Sequence, residues 1–351
     1  MTNITNLNEL VGTGLTKMET MELKEMKDKR VVLGIDIGGT KISAALFDLK
    51  GDVLHKEIVS LGDREGSEVM ELVRTMVVHS LDLAKNIARL VVAVGACVPG
   101  IYDPIRKTVW APNIRGWDNY PLWLQLTQIV GDTCINIAVE SDRSCYILGE
   151  VWKGCAHGCS DAIYLSVGTG IGAGILSNGR IITGNRGIAG SVGWMALEPP
   201  YDKKYDSWGN FEHYASGNGI ARSALESLRK PRARVSILDG MPEDKITAHH
   251  VFSAFEKQDP VAEEVLARAV VYWGMAVANL VSIFNPQKVI FGGGVFGPAV
   301  KLMDSIFMES KKWAQPLAIR EITVEASILK GDAGLIGAGY LAIKSLNASP
   351  L

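Results

Sequence analysis

Between Val31 and Asp48 the chain reads VVLGIDIGGTKISAALFD. An apolar run ends in Asp36, Gly38, Gly39 and Thr40 follow, and Lys41 opens a second apolar run. Two strands joined by so bare a turn let backbone N–H groups come close to an anion, because glycine permits the backbone angles and leaves room where a side chain would stand. Asp36 is suited to hold a hydrated Mg²⁺, and Lys41 to sit on a phosphate. The pattern returns between Ala162 and Ser177, AIYLSVGTGIGAGILS, with Gly168, Thr169 and Gly170 at its turn. One such ribbon is an ordinary hairpin. Two of them, about half a chain apart, point to two lobes gripping one phosphate-bearing ligand.

The elements that would carry these turns can be read along the chain. Runs at 31–36, 41–48 and 53–60 alternate or are continuously apolar and predict three strands, with Lys50-Gly51-Asp52 as a turn. Residues 67–88 place apolar side chains at helical spacing. A buried strand is expected at 90–97, a helix at 121–130, a strand at 135–139 and a helix at 142–151. The second half repeats the order: strands at 162–167, 171–177 and near 180–183, then an irregular aromatic-rich insertion from Gly184 to about Gly217. Helices are expected at 217–228 and 261–283, a strand at 288–291, a helix at 299–313, a strand at 320–326 and a helix at 334–344 with Asp332 near its N-cap. The fold class is therefore α/β, with β-β-β-α-β-α-β-α repeated in two lobes and a cleft between them as the expected ligand site. In domain terms, residues 1–30 form a leader, a short helix or partial disorder. A smaller lobe spans 31–141, with the C-terminal helix at 334–346 packing back onto it, and a larger lobe spans 142–333.

Bulk properties narrow the function classes. The chain has 351 residues, 47% of them apolar, and a formal net charge of −2. That is enough for two domains with substantial cores and gives no electrostatic reason to expect nucleic acid or a membrane as partner. No apolar run reads as long enough to cross a bilayer, and the N-terminus lacks the basic start and apolar core of a secretory signal. Five scattered cysteines read as a reducing, cytoplasmic setting.

Six segments taken together resemble one family. DIGGTK at 36–41, VPGIYDP at 98–104, APNIRGW at 111–117, VESD at 139–142 with LGE at 148–150, SVGTGIGAG at 166–174 and FGGGVFG at 291–297 are similar to the motifs of the ROK family. That family comprises bacterial sugar kinases and related repressors within the actin/hexokinase-like, RNase H-like ATPase superfamily. The resemblance implies phosphorylation of the 6-hydroxyl of a hexose with ATP and Mg²⁺, a homodimer, and Asp142 as the general base. A carboxylate at a strand end and helix start suits a base, and equally suits a helix N-cap. The resemblance further implies that Gly38, Gly39, Thr40 and Lys41 embrace the β- and γ-phosphates with Asp36 on hydrated Mg²⁺. Gly168, Thr169 and Gly170 would meet the phosphates, and Gly292, Gly293 and Gly294 would line the adenosine pocket. The last run also fits G-x-G-x-x-G through Gly297, but a dinucleotide fold places that fingerprint at its first strand.

The chain departs from the family pattern on the acceptor side. Family sugar kinases carry E-x-G-H, whose Glu and His contact the sugar and whose His also binds zinc; here the aligned residues are Ser191-Val192-Gly193-Trp194. The positions expected to hold zinc-binding cysteines hold Lys203, Tyr205 and Asn210. These residues cannot build a tetrahedral N/S site, so no structural zinc is expected there. The Asn that usually precedes the base is Ser141. The resemblance implies Asn113, Asp142 and Glu212 as the retained candidates for sugar contact, with Ser141, Ser191 and Trp194 in the altered part of the pocket. Phosphoryl transfer is therefore expected with an acceptor that differs from glucose on its C1–C3 side: an amino sugar, a cyclitol or a substituted hexose. Trp194, Trp208, Tyr205, Tyr201 and Phe211 either offer such a ring a stacking wall or fill the volume a zinc knot would leave. The alternative function is a sugar-binding regulator or a pseudokinase without turnover.

The remaining candidates carry less. Cys155, His157 and Cys159 crowd three donors into one loop, which fits known zinc spacings poorly. His249 and His250 read as solvated surface, His213 stands beside Glu212, and Cys97 and Cys145 fall on apolar stretches as packing residues.

Overall fold

The computed structural model of the chain describes residues 29–131 and 133–347. All but the last two residues of the expected leader lie outside them. The described chain divides into two compact units, the first running to Lys153 and resuming at Asp332, the second covering Gly154–Gly331.

The first unit opens with strands β1 (Arg30–Ile37), β2 (Lys41–Asp48) and β3 (Val53–Ser60), then helix α1 (Ser67–Asn86) and strand β4 (Leu90–Val98). A small hairpin follows, β5 (Ile101–Asp103) and β6 (Thr108–Trp110), then α2 (Leu122–Val130), β7 (Asn136–Ser141) and α3 (Asp142–Lys153). Its sheet runs in the order β3-β2-β1-β4-β7, antiparallel among the first three strands and parallel from β1 through β4 to β7.

The second unit repeats the plan. Strands β8 (Ala162–Val167), β9 (Ile171–Ser177) and β10 (Arg180–Ile181) lead through irregular turns to helices α4 (Asn210–Ala215), α5 (Gly217–Leu228), α6 (Ala248–Phe255) and α7 (Pro260–Phe284). Strand β11 (Lys288–Gly292), helices α8 (Met303–Ser310) and α9 (Ala318–Glu321) and strand β12 (Thr323–Ala326) complete it. The sheet order is β10-β9-β8-β11-β12, again antiparallel on one side of β8 and parallel on the other. The same strand order in both units is the duplication that the sequence pattern predicts.

Several expectations need correction. The boundary falls after Lys153 rather than after Ser141, because α3 packs within the first unit against the final helix, α10 (Ala333–Leu346). The contact is close enough to require glycine: a Cβ on Gly337 would stand 1.8 Å from the Cys145 carbonyl oxygen, and one on Gly149 2.5 Å from that of Ala333. Asp332 occupies the N-cap position of α10 without capping it, and its carboxylate instead takes Lys56 Nζ at 2.7 Å. The strand expected at 320–326 begins only at Thr323, and the helix expected at 299–313 is a 3-10 turn followed by α8.

The statement that no apolar run could cross a bilayer also fails. Helix α7 is long and apolar enough by length and composition. It is the central helix of the second unit's core, with Tyr272, Trp273, Val277 and Val281 buried against both sheet and helices. Asp259 caps it by accepting from the N–H groups of Val261 and Ala262, and Pro260 takes the first helical position, where its missing N–H costs nothing.

Candidate active site

In the first unit, β1 delivers Asp36 to the mouth of the β1–β2 turn. Ile37 pairs with Ile42, and the Gly38 N–H donates to the Lys41 carbonyl at 2.9 Å, which closes the turn tightly. Gly39, Thr40 and Lys41 are exposed. The reason for glycine here differs from the sequence expectation: neither Gly38 nor Gly39 has a left-handed φ. Space decides instead, since a Cβ on Gly39 would lie 3.0 Å from Asn113 Cβ, and one on Gly38 2.9 Å from the Lys41 oxygen. Asn113, a candidate sugar contact, thus packs directly on the β1–β2 turn.

Asp36 itself is wedged. A Cβ on Gly334, at the start of α10, would stand 2.7 Å from its Oδ2. Burial raises its carboxyl above the ordinary range, with Cys97 and Lys41 opposing the rise and Asp332 adding to it. Cys97 and Cys145 are buried packing residues, as their apolar settings imply, and the Cys97 thiol also hydrogen-bonds Asp36.

Asp142 is the first residue of α3, immediately after β7. Burial pushes its carboxyl up to about 6; Arg143 and its backbone N–H, 2.8 Å from Oδ1, hold the rise back, and Asp36 adds to it. A carboxyl poised there is mostly ionised at neutral pH yet a far better proton acceptor than a solvated one. Ser141 does not face outward. Its side chain is buried, its Oγ lies 3.2 Å from Ser144 Oγ, and it accepts weakly from the Ser144 N–H at 3.4 Å, so the serine acts at the helix start. Glu140, which the sequence reading passed over inside VESD, holds a second buried carboxyl raised by desolvation and accepts from the Ser141 N–H at 3.2 Å.

In the second unit, the β8–β9 turn presents Gly168, Thr169 and Gly170. A Cβ on Gly168 would meet nothing within 4 Å, whereas one on Gly170 would lie 2.8 Å from Glu212 Oε2. Glu212, on α4, accepts from the Ile171 N–H at 2.7 Å and is raised chiefly by burial. Gly193 closes the other side, with a would-be Cβ 2.8 Å from the same Oε2 and 2.9 Å from the Ile171 oxygen. The Gly217 N–H donates to the Gly168 carbonyl at 2.7 Å, and Ser216 caps α5 through the Gly219 N–H. No local sequence signal marks this brace, because it joins Gly168 to residues nearly fifty positions on.

Gly292 ends β11 and leaves no room for a side chain beside Tyr164. Gly293 has φ +87° and lies against Val167, and Gly294 opens on free space. Of the proposed aromatic wall, Trp194, Tyr201 and Tyr205 line one cavity of about 440 Å³, and Trp194 and Tyr201 are 57% and 72% exposed. Phe211 is instead core, and Trp208 lies against the Arg222 guanidinium. Ser191 Oγ donates to the Ile188 carbonyl at 2.9 Å.

The positions aligned with zinc ligands carry other chemistry. Tyr205 and Tyr214 join hydroxyls at 3.0 Å, Asn210 Oδ1 accepts from the Leu197 N–H, and the Arg268 guanidinium stacks 3.7 Å over Tyr214. Lys204 lies over both tyrosine rings. His213 is buried between Tyr205 and Tyr214, its Nδ1 is 3.1 Å from Arg222, and burial followed by that cation lowers its pKa to about 4. Cations and phenols are the wrong donor set for zinc, so these residues do not fit one. His249 and His250 are exposed, as expected, and His250 also forms the capping box of α6 with Thr247.

Two units of identical strand order, each with a bare glycine turn after its first strand, define the two-lobed, actin-like ATPase type of fold. A model of the ROK family matches residues 32–345, and the chain belongs to that family. It is 31% identical to a glucokinase of Halalkalibacterium halodurans over 91% of this chain and 97% of that one. A beta-glucoside kinase of Listeria monocytogenes is 25% identical over 88% of this chain and 96% of its own length. Among solved structures, a ROK family glucokinase from Streptomyces griseus in complex with glucose and AMPPNP is 30% identical, covers 90% of this chain and 99% of its own, and superposes with a TM-score of 0.69.

Proposed function

We propose that this chain is an ATP-dependent sugar kinase. It transfers the γ-phosphoryl group to a primary, 6-OH-like hydroxyl of a hexose or sugar-like acceptor. The observation that carries the reading is Asp142, a desolvated carboxyl at the start of α3 with its pKa raised to about 6. Asp142 accepts the hydroxyl proton as the acceptor oxygen bonds to the γ-phosphorus and the bond from that phosphorus to the ADP oxygen breaks. The proton then passes to water after product leaves.

ATP and Mg²⁺ fit the residues present. Half-buried Gly38 and exposed Gly39 and Thr40 form a turn without bulky side chains, Lys41 adds a cation, and Asp36 is a carboxyl whose burial cost a nearby cation would offset. When bound, Mg²⁺ supplies neutralisation of phosphate charge. Gly168, Thr169 and Gly170 are assigned to phosphate and Gly292, Gly293 and Gly294 to adenosine. The relative crystallised with AMPPNP supports the choice of ATP.

Asn113, Asp142 and Glu212 are assigned to the sugar. Ser141 is turned inward and Ser191 is tied to its own turn, so neither replaces the polar contacts that glucose would need. An unmatched buried hydroxyl costs ~1–3 kcal/mol. We therefore read the acceptor as a hexose altered on its C1–C3 side, with the cavity beside Trp194 open to the added group. A relative named for beta-glucosides, sugars substituted at C1, supports this. The chain is read as a cytoplasmic homodimer that lacks the zinc of the second unit. ADP release measured across glucose, amino sugars, glycosides and cyclitols tests the reading. Turnover with glucose as the preferred acceptor would remove the acceptor assignment, and no turnover with any acceptor would remove the kinase.

A further inference from the structure

The edge strand β3 carries His55 and Glu57 two residues apart, so both side chains leave the same face. Lys56, between them, leaves the other face and pairs with Asp332. Helix α1 brings His79 to meet the pair, with Nδ1 3.2 Å from Glu57 Oε2. One donor atom from each of the three lies within 4.8 Å of the others, and among the described residues this is the group of His, Cys, Asp and Glu compact enough for a metal ion. The two imidazole rings stand edge to face, with centroids 6.0 Å apart.

Two further atoms point to a missing partner. His55 Nε2 and Glu57 Oε1 are both buried and make no hydrogen bond. Buried polar atoms are nearly always satisfied, and a lone pair left over on each of two neighbouring ligand-type groups is what a cation would use. Two imidazoles and one carboxylate form a three-ligand tetrahedral zinc set with the fourth position left to water. Ligands about 2.0–2.1 Å from zinc in that geometry stand about 3.4 Å from one another. The Glu57–His79 edge, at 3.2 Å, is close to that length, and the His55 donor lies within 4.8 Å of both. Nitrogen donors disfavour Mg²⁺ and Ca²⁺, which take oxygen ligands.

We propose that His55, Glu57 and His79 bind one Zn²⁺ ion, which clips helix α1 to the sheet's edge strand. None of the three belongs to the phosphate or base machinery, so the ion is a brace of the first unit and holds whether or not the kinase reading does.

The test uses the full chain stripped of metal by a chelator, with Co²⁺ as the spectroscopic probe. One equivalent of Co²⁺ is expected to produce a visible d–d band without a thiolate charge-transfer band, Zn²⁺ to displace it, and Zn²⁺ to raise the melting temperature. His79→Ala and Glu57→Gln should each weaken Co²⁺ binding at least tenfold with an unchanged circular dichroism spectrum; His79 is exposed, so its removal leaves the fold intact. No saturation at one equivalent, a band that survives both substitutions, or a thiolate band that moves the metal to Cys155 and Cys159 would each overturn the proposal.

Discussion

Replacing Asp142 with asparagine should slow catalysis by roughly 10²–10⁴ and make the protein more stable as the pH rises above about 4. Burial raises this carboxyl from 3.8 to about 6. The folded state therefore binds its proton more tightly than the unfolded state, and ionising it weakens folding. The penalty is absent below the unfolded value, grows between the two, and is complete above the folded one. Its full size is about 3 kcal/mol. Asparagine keeps an oxygen to accept from the Arg143 N–H and carries no charge to desolvate. Asp142→Asn should thus exceed the wild type by up to about 3 kcal/mol at pH 7–8, by about half that at pH 5, and by nothing near pH 3. Urea denaturation across that range, followed by circular dichroism, reads the gap. The companion readout is the wild type's pH–rate profile, in which kcat/KM should fall about tenfold per pH unit below about 6 as the base takes up its proton. A variant no more stable than wild type at pH 8, or a gap that fails to shrink toward pH 4, would show that Asp142 is not the desolvated carboxyl on which the mechanism rests.

Gly193→Ala should drive a Cβ into Glu212 and the Ile171 carbonyl, raising the acceptor KM at least tenfold while the KM for ATP moves little; equal changes in both would separate Glu212 from the sugar. Gly337→Ala places a Cβ 1.8 Å from the Cys145 backbone oxygen and should cost more than about 3 kcal/mol of stability by denaturant midpoint, unless α10 shifts freely, which an unchanged midpoint would show. Trp194→Ala removes a largely exposed ring, so the melting temperature should hold while the preference among C1-substituted acceptors over glucose narrows several-fold; an unchanged preference would assign the tryptophan to surface packing.

The strands flanking both glycine turns were legible because period-2 burial, Gly and Asp are local signals, and β1, β2 and β3 fall where the alternation placed them. The duplicated strand order followed from those local readings. What the sequence hid depends on contacts between distant segments. Helix α3 belongs with α10 because Gly149 and Gly337, nearly two hundred residues apart, let their backbones touch, and no window along the chain reports that. Gly38 and Gly39 looked like residues chosen for backbone angle, yet they are chosen for the room beside Asn113 and Lys41. Ser141 reads as a pocket residue by position and turns inward because its hydroxyl finds Ser144 one helical turn on. The tyrosine, arginine and lysine cluster around His213 was invisible as a unit, since Tyr205, Tyr214, Arg222 and Arg268 lie on separate elements. The His55, Glu57 and His79 group joins a strand to a helix and was missed for the same reason.

The most direct test of the central claim is a single-turnover experiment with γ-labelled ATP and the best acceptor from the panel, run on the wild type and on Asp142→Asn, with ATP binding measured by calorimetry on both. The account predicts label transferred to the sugar by the wild type, transfer slowed by roughly 10²–10⁴ in the variant, and ATP affinity the same within a factor of about two. Transfer at an undiminished rate in Asp142→Asn, or ATP binding by the wild type with no label reaching any acceptor, would contradict it.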